Sequence, residues 1–254
     1  MKVDVNCDMG ESFGMYQLGN DEEMMQYITS ANIACGYHAG DPGTMRKTVE
    51  LAKEHEVHIG AHPAFPDLMG FGRRQLDCTP EEIKDYVSYQ LGALQGFTKQ
   101  YGLPVAHCKP HGAMYMRAME DEKTARAILE AIASIDENII VFAMNHSAVA
   151  DLGEKIGIRV AKETYSDREH TETGSILMTR KGPTIKDYDM MAERVVRMVK
   201  EGKVTADTGN DISVTAETVC IHGDTPGAVE LAKTIHHLLK KNEINVTPIQ
   251  EILK

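Results

Sequence analysis

Short apolar runs alternate with longer segments whose apolar residues recur at helical spacing, and the alternation persists along the chain. The runs Lys2–Asp8, Ser30–Tyr37, Val57–Ala61, Val105–Lys109, Asn138–Met144, Ile158–Ala161 and Val219–His222 read as strands. The fifth, NIIVFAM, is apolar throughout, as expected of a strand covered on both faces. Helices are predicted over Asp21–Thr29, Gly43–His55, Asp121–Ser134, Ser147–Ile156 and Ile185–Lys200. In the second of these, Met45, Val49 and Ala52 fall on one face. Thr79-Pro80-Glu81-Glu82 combines an N-cap, a proline at the first helical position and a capping-box glutamate, so a long helix starts there and runs to about Gln100. Thr225-Pro226 caps a last helix reaching about Lys241. Glu163–Lys186 is polar and irregular except at Ile176–Met178, and reads as a loop or small hairpin over the site.

Strands that alternate with helices imply parallel pairing through right-handed crossovers. Chemically reactive residues sit at strand ends spread over the whole chain. That pattern suits a closed or nearly closed α/β barrel with outer helices better than an open sheet, which gathers its site at one switch point. No linker or low-complexity stretch interrupts the chain, so residues 1–254 are expected to form one domain.

Strand side chains alternate faces. Asp4, Asn6 and Asp8 share one face of the first strand, and His58, Gly60 and His62 share one face of the third. His107, Lys109 and His111 align in the fourth, and His222 and Asp224 at the last. Asn32 and His38 align in the second. Helices cover the outside of a barrel, so these polar faces look inward and meet at one mouth. Buried charges and imidazoles are costly unless paired, which makes a shared active site the reading of the set. Asp8, His38 and His62 have the ligand types for a hydrolytic metal, although their spacing is not diagnostic. Gly70-Phe71-Gly72-Arg73-Arg74 ends a flexible loop in two arginines, the residue type that clamps carboxylate or phosphate.

Composition narrows the partners. The net charge of −11 disfavours nucleic acid or an anionic membrane surface. No apolar stretch approaches the roughly 18 residues of a membrane helix, and no signal-peptide core precedes Val3. Five cysteines with no CxxC pair read as reduced core residues, consistent with a cytoplasmic location. There is no phosphate-binding GxxxxGK[ST] loop, GxGxxG, HExxH or GxSxG.

The segments VNCDMGESFG, SANIACGYHAGDP, GAHPAFPDLMGFGRR, CKPHGAMY and CIHGDTP resemble, in order and along essentially the whole chain, the signature blocks of the LamB/YcsF family, the A-subunit proteins of 5-oxoprolinase. The resemblance implies a distorted (β/α)7 barrel of the glycoside hydrolase/deacetylase type. It implies ATP-dependent opening of 5-oxo-L-proline to L-glutamate, with Mg as the nucleotide's counter-ion and with partner subunits B and C. The matched positions are Asp8, Glu11, His38, Asp41, His62, Arg73, Lys109, His111, His222 and Asp224, with Arg168 and Asp167 surviving in a sixth-strand block, ETYSDREH, that departs from the family pattern. Asp8, Lys109, His111, His222 and Asp224 are the expected catalytic set, and Lys109 is the expected holder of an anion. Glu11, His38, Asp41, His62, Arg73 and Arg168 are expected to bind substrate. A metal-dependent amide hydrolase or deacetylase without ATP, with Asp8, His38 and His62 as ligands, is the alternative. A non-catalytic subunit that only binds a carboxylate metabolite is the third reading, disfavoured by the number of ionisable strand ends.

Overall fold

The structure, a computed structural model, describes residues 1–177 and 187–253. Seven parallel strands close on themselves: β1 (Lys2–Met9), β2 (Ser30–Ala34), β3 (His58–His62), β4 (His107–Cys108), β5 (Ile140–Met144), β6 (Val160–Tyr165) and β9 (Thr218–Ile221), with β9 pairing back onto β1 through Asp4↔Thr218 and Cys7↔Ile221. The expected β/α barrel is what forms.

The helices are α1 (Asp21–Met24), α2 (Pro42–Glu54), α3 (Pro80–Thr98), α4 (Gly112–Glu120), α5 (Glu122–Ile135), α6 (Ala148–Ile156), α7 (Tyr188–Glu201), α8 (Ala228–Lys241) and a short α9 (Ile249–Ile252). The start of α3 follows the chemistry read in the sequence. Thr79 and Glu82 form the reciprocal capping box of α3, and Asp121 and Ser147 cap α5 and α6. One apolar cluster, from Val3 to Ile244, packs helices against strands.

Several expectations need correction. The helix expected over Asp21–Thr29 ends at Met24. The second strand ends at Ala34, because Gly36 turns the chain with φ of 94°. His38 therefore reaches the site from a loop and not by strand alternation. The last helix begins at Ala228 behind Gly227, with no side-chain cap from Thr225. Of the helix expected over Ile185–Lys200, the described part begins at Tyr188, with Asp187 as N-cap; its first two residues lie outside the described residues, as does Met178. The sixth strand runs on to Tyr165, so Glu163 belongs to the barrel wall and not to a loop. Beyond it, His170 bridges Ile176 in antiparallel fashion, in keeping with the expected hairpin. Helix α4, the antiparallel pair β7 (Lys203–Thr205) and β8 (Asp211–Ser213), and β10 (Asn245–Val246) beside β1 were not anticipated.

The barrel interior is layered. At its N-terminal end Ile140, Phe142 and Ala161 pack with Ile249 of α9, an apolar plug. His107 stacks flat on Phe142, with ring centroids 4.4 Å apart. Gly60 makes room for it: a Cβ there would lie 2.1 Å from the imidazole. Above this floor the interior turns polar and stays polar to the mouth.

Candidate active site

Three inward residues of β1 define the levels of the site. Asp4, deepest, accepts hydrogen bonds from Ser30 Oγ (2.6 Å), Thr29 Oγ1 (2.8 Å) and Thr218 Oγ1 (2.5 Å). Burial outweighs these donors and raises its carboxyl to about 6. Asn6, one level up, donates to Thr218 Oγ1 and Glu163 Oε1, while its carbonyl accepts from Asn32. Asp8 stands at the level of Lys109.

Lys109 comes from the end of β4, and its ammonium is enclosed. Nζ lies 3.0 Å from Glu163 Oε1, 3.3 Å from Asp8 Oδ1 and 2.9 Å from Cys220 Sγ. Burial alone would depress an ammonium. Asp8, with the Cys220 and Glu163 sites, more than offsets it and raises Lys109 well above its ordinary value. Burial likewise favours a neutral Asp8, yet His62 and Lys109 hold that carboxyl well below the usual range. Lys109 has three protons and at least three internal acceptors. The geometry thus supports ordering of Asp8 more than a free clamp for a substrate anion. Glu163 also accepts from Tyr115 OH (2.8 Å) and Tyr165 OH (2.6 Å).

A second group lies beside Asp8. His62 Nε2 is 3.4 Å from Asp8 Oδ1 and 2.9 Å from His111 Nδ1. His111 stacks on His38 with ring centroids 3.8 Å apart, and His38 Nε2 meets Glu11 Oε1 at 3.1 Å. Burial first, then the neighbouring imidazoles, pushes His38 and His111 well below the ordinary histidine value. Burial and the Asp8 charge push Glu11 well above the ordinary carboxylate value. The loop carrying Phe71 and Gly72 closes over His111: Phe71 O faces His111 Nε2 at 2.8 Å, and Ala113 N donates to Gly72 O.

On the far wall Asp167 Oδ1 contacts His222 Nδ1 at 2.8 Å, while Arg168 Nη1 holds the other carboxylate oxygen at 2.8 Å. That fixes the imidazole's orientation and leaves Nε2 as its second functional atom. Arg73 pairs with Asp224 at 2.9 Å across the mouth, which leaves Asp224 in an ion pair. The cleft between these walls is lined by Asp8, His62, Arg73, Lys109, His111 and His222 among others.

Of the residues expected from sequence, Asp8, Glu11, His38, His62, Arg73, Lys109, His111, His222 and Asp224 converge here, with Arg168 behind Asp167. Asp41 does not join them by its contacts. Its carboxylate caps α2, accepting from the Gly43 and Thr44 amides and the Thr44 hydroxyl, and it also accepts from Gly14 N. The Thr44 hydroxyl and the Gly14 amide lower it to about 2. Among the described residues, two groups have ligand atoms within 4.8 Å of one another: Glu11, His38, His62 and His111, and separately Asp8, Cys220 and His222. The metal set expected from sequence is thus divided, with Asp8 in one group and His38 and His62 in the other. Glu163 and Cys220, which close around Lys109, are not among the residues expected at the site from sequence. Alternation of Ala161, Glu163 and Tyr165 was the signal for Glu163, and the position of Cys220 two before His222 was the signal for the thiol.

The barrel fold is shared with a family 4 carbohydrate esterase from Streptomyces lividans, which matches at a TM-score of 0.53 and 9% identity over 96% of this chain and 91% of that one, a likeness of fold alone. The chain belongs to the LamB/YcsF family, whose model matches residues 3–254. It is 51% identical over 255 residues to the 5-oxoprolinase A-subunit of Thermococcus onnurineus and 48% identical to that of Pyrococcus horikoshii, with complete coverage of both chains in each case. The crystal structure of a lactam utilization protein from Thermus thermophilus superposes with a TM-score of 0.91 at 42% identity, covering 97% of this chain and 99% of that one.

Proposed function

We propose that this chain is the A-subunit of an ATP-dependent 5-oxoprolinase that opens the lactam of 5-oxo-L-proline to L-glutamate. ATP, with Mg as its counter-ion, is consumed to ADP and phosphate by the assembled complex with subunits B and C. The cytoplasm is the proposed compartment. The observation that carries the reading is full-length similarity to the A-subunits of 5-oxoprolinases, joined to a buried acid–base constellation at the barrel mouth.

A five-membered lactam resists attack at neutral pH, and activation of its carbonyl oxygen by a phosphoryl group supplies both leaving group and driving force. The chain's own residues then have the following roles. Asp8, kept ionised by Lys109 and His62, takes a proton from the attacking water. His222, oriented by Asp167, delivers a proton to the departing ring nitrogen as the C–N bond breaks, and the γ-glutamyl phosphate so formed is hydrolysed by a second water to glutamate and inorganic phosphate. Arg73 at the mouth faces the substrate carboxylate or the developing oxyanion.

The test is a coupled assay of glutamate and ADP. The protein is incubated with 5-oxoproline and ATP, alone and with subunits B and C. Glutamate and ADP formed together, and only in the assembled mixture, support the reading. Glutamate released by the isolated chain without ATP would replace it with an ATP-independent amide hydrolase.

A further inference from the structure

As neutral rings, His62 and His111 cannot both be satisfied where they stand. His62 Nδ1 lies 2.6 Å from the carbonyl oxygen of Lys109, and His111 Nε2 lies 2.8 Å from that of Phe71. A carbonyl accepts only, so each of these nitrogens must carry its proton and donate. In the neutral rings the other two nitrogens, His62 Nε2 and His111 Nδ1, therefore both present lone pairs, and they face each other at 2.9 Å. Two facing lone pairs repel unless a cation sits between them. A backbone carbonyl behind each imidazole is also the arrangement that fixes the tautomer and raises the basicity of a metal-bound histidine.

Two more polar atoms, one of them a carboxylate oxygen placed to ligate, close on the same point. Glu11 Oε1 lies 3.8 Å from His111 Nδ1 and 3.1 Å from His38 Nε2, and the ligand atoms of all four residues lie within 4.8 Å of one another. A tetrahedral ion with bonds of ~2.0–2.1 Å separates its ligands by roughly 3.3 Å. The observed spacings bracket that value. All four residues are buried, so bulk water does not compete for the position. Two imidazoles and one carboxylate with an open position are the ligand types of a borderline divalent ion such as zinc, and not of magnesium, which takes oxygen ligands.

We propose that Glu11, His62 and His111 bind a zinc-type divalent cation, with a fourth position left open and with His38, stacked flat on His111, positioning the Glu11 carboxylate. This assignment does not depend on the lactam reading. His38 does not complete the shell, because its ring lies parallel to that of His111 with centroids 3.8 Å apart and one ion cannot sit in both ring planes; its Nε2 orients Glu11, and its Nδ1 lacks the carbonyl support that His62 and His111 have. The site is distinct from the Asp8, Cys220 and His222 group, whose thiol already contacts Lys109.

The experiment uses the full chain, stripped with chelator, titrated with zinc chloride and dialysed. Bound metal is counted by mass spectrometry and the ligand shell is read by X-ray absorption. One equivalent of zinc with a shell of nitrogen and oxygen only, including multiple-scattering signatures of at least two imidazoles, is expected. Affinity should fall 10–100-fold or more in His62→Ala and His111→Ala, less in His38→Ala, and little in Cys220→Ala. Magnesium chloride should leave no bound metal. Failure of the folded wild-type chain to retain zinc overturns the proposal, because a shared proton would then be the cation between the imidazoles. A sulfur scatterer at about 2.3 Å overturns it too, since it moves the ion to Cys220. The wild-type spectrum requires no variant to fold.

Discussion

Lys109 and Glu163 meet at 3.0 Å inside the barrel, although they come from β4 and β6 with β5 between them. Their side chains span the interior, as only inward residues at the same level can. With Asp8 the group holds two carboxylates around one ammonium, all nearly excluded from solvent. Removing the ammonium strands both acids. Lys109→Met is expected to lose about 3–5 kcal/mol of unfolding free energy, the usual cost of breaking a buried pair from one side. Lys109→Met/Glu163→Gln should recover part of that loss, and the difference between double and summed single changes should exceed about 0.5 kcal/mol. Denaturant unfolding of the four proteins measures it, and additive losses would mean that the pair is not coupled. Neither variant should support glutamate formation in the assembled complex.

The Asp167–His222 contact makes a different kind of claim, about turnover more than folding. Asn at position 167 preserves shape and can still hydrogen-bond His222 Nδ1, but as a donor it would favour the wrong tautomer. Asp167→Asn is thus expected to lower kcat by roughly 10²–10⁴-fold, the range of general acid–base and triad-orienting losses, with KM changed far less. A matched fall in kcat and rise in KM would instead place His222 in substrate binding.

How far the sequence reached depends on the kind of structure involved. Alternation showed which faces of β1, β3, β4 and β9 look inward, because a polar residue every second position in an otherwise apolar strand has one explanation in a helix-covered barrel. The same rule hid Glu163. In β6 the inward residues run Ala161, Glu163, Tyr165 while Lys162 and Thr164 lie between, so the strand looks polar throughout and reads as loop. His38 was grouped correctly for an incorrect reason, since a glycine turn and not the strand delivers it. Asp41 shows the converse: in a signature block it looks like a site residue, but the sequence Asp41-Pro42-Gly43-Thr44 also spells a helix cap, and that is how the carboxylate is used. The carbonyls behind His62 and His111 belong to Lys109 and Phe71, 47 and 40 residues away, and main-chain acceptors leave no mark in the residue pattern.

Gly60 is fixed by packing. The imidazole of His107 occupies the space above it, wedged between Phe142 and Asn32, which His107 Nε2 contacts at 2.9 Å. Because an added Cβ would sit 2.1 Å from that ring, Gly60→Ala forces movement in a stacked, hydrogen-bonded core. The expected cost is at least about 1–3 kcal/mol, as for other overpacked cores. Gly60→Ala combined with His107→Ala should be less destabilised than the two losses summed. Thermal unfolding of the three variants decides it.

The Asp41 cap yields a prediction that separates structure from binding. Asp41→Ala removes the acceptor for the Gly43 and Thr44 amides and should cost about 0.5–2 kcal/mol of stability. Since its contacts lie at the helix start, kcat and KM for 5-oxoproline in the assembled complex should remain within a factor of two or three. A large rise in KM with unchanged stability would return Asp41 to the substrate site.

Asp4 links the barrel floor to pH. Its carboxyl is raised from 3.8 to about 6 by burial, against three hydroxyl donors. A raised acid binds its proton more tightly when folded, so its contribution to stability is full below the unfolded value near 4 and is lost as pH rises through about 6. A displacement of this size corresponds to about 3 kcal/mol, fully expressed above pH 6. Asp4→Asn cannot titrate, and the surrounding Ser30, Thr29 and Thr218 hydroxyls can rotate to meet the amide. The wild type should therefore lose stability relative to Asp4→Asn between pH 4 and pH 7, by up to about 3 kcal/mol on the linkage above, whatever the absolute trend set by other groups. Chemical denaturation of both proteins at several pH values across that window gives the difference. A gap that stays constant, or that widens in favour of the wild type as pH rises, would show that Asp4 is already ionised at pH 4 and that its three hydroxyl donors outweigh the burial.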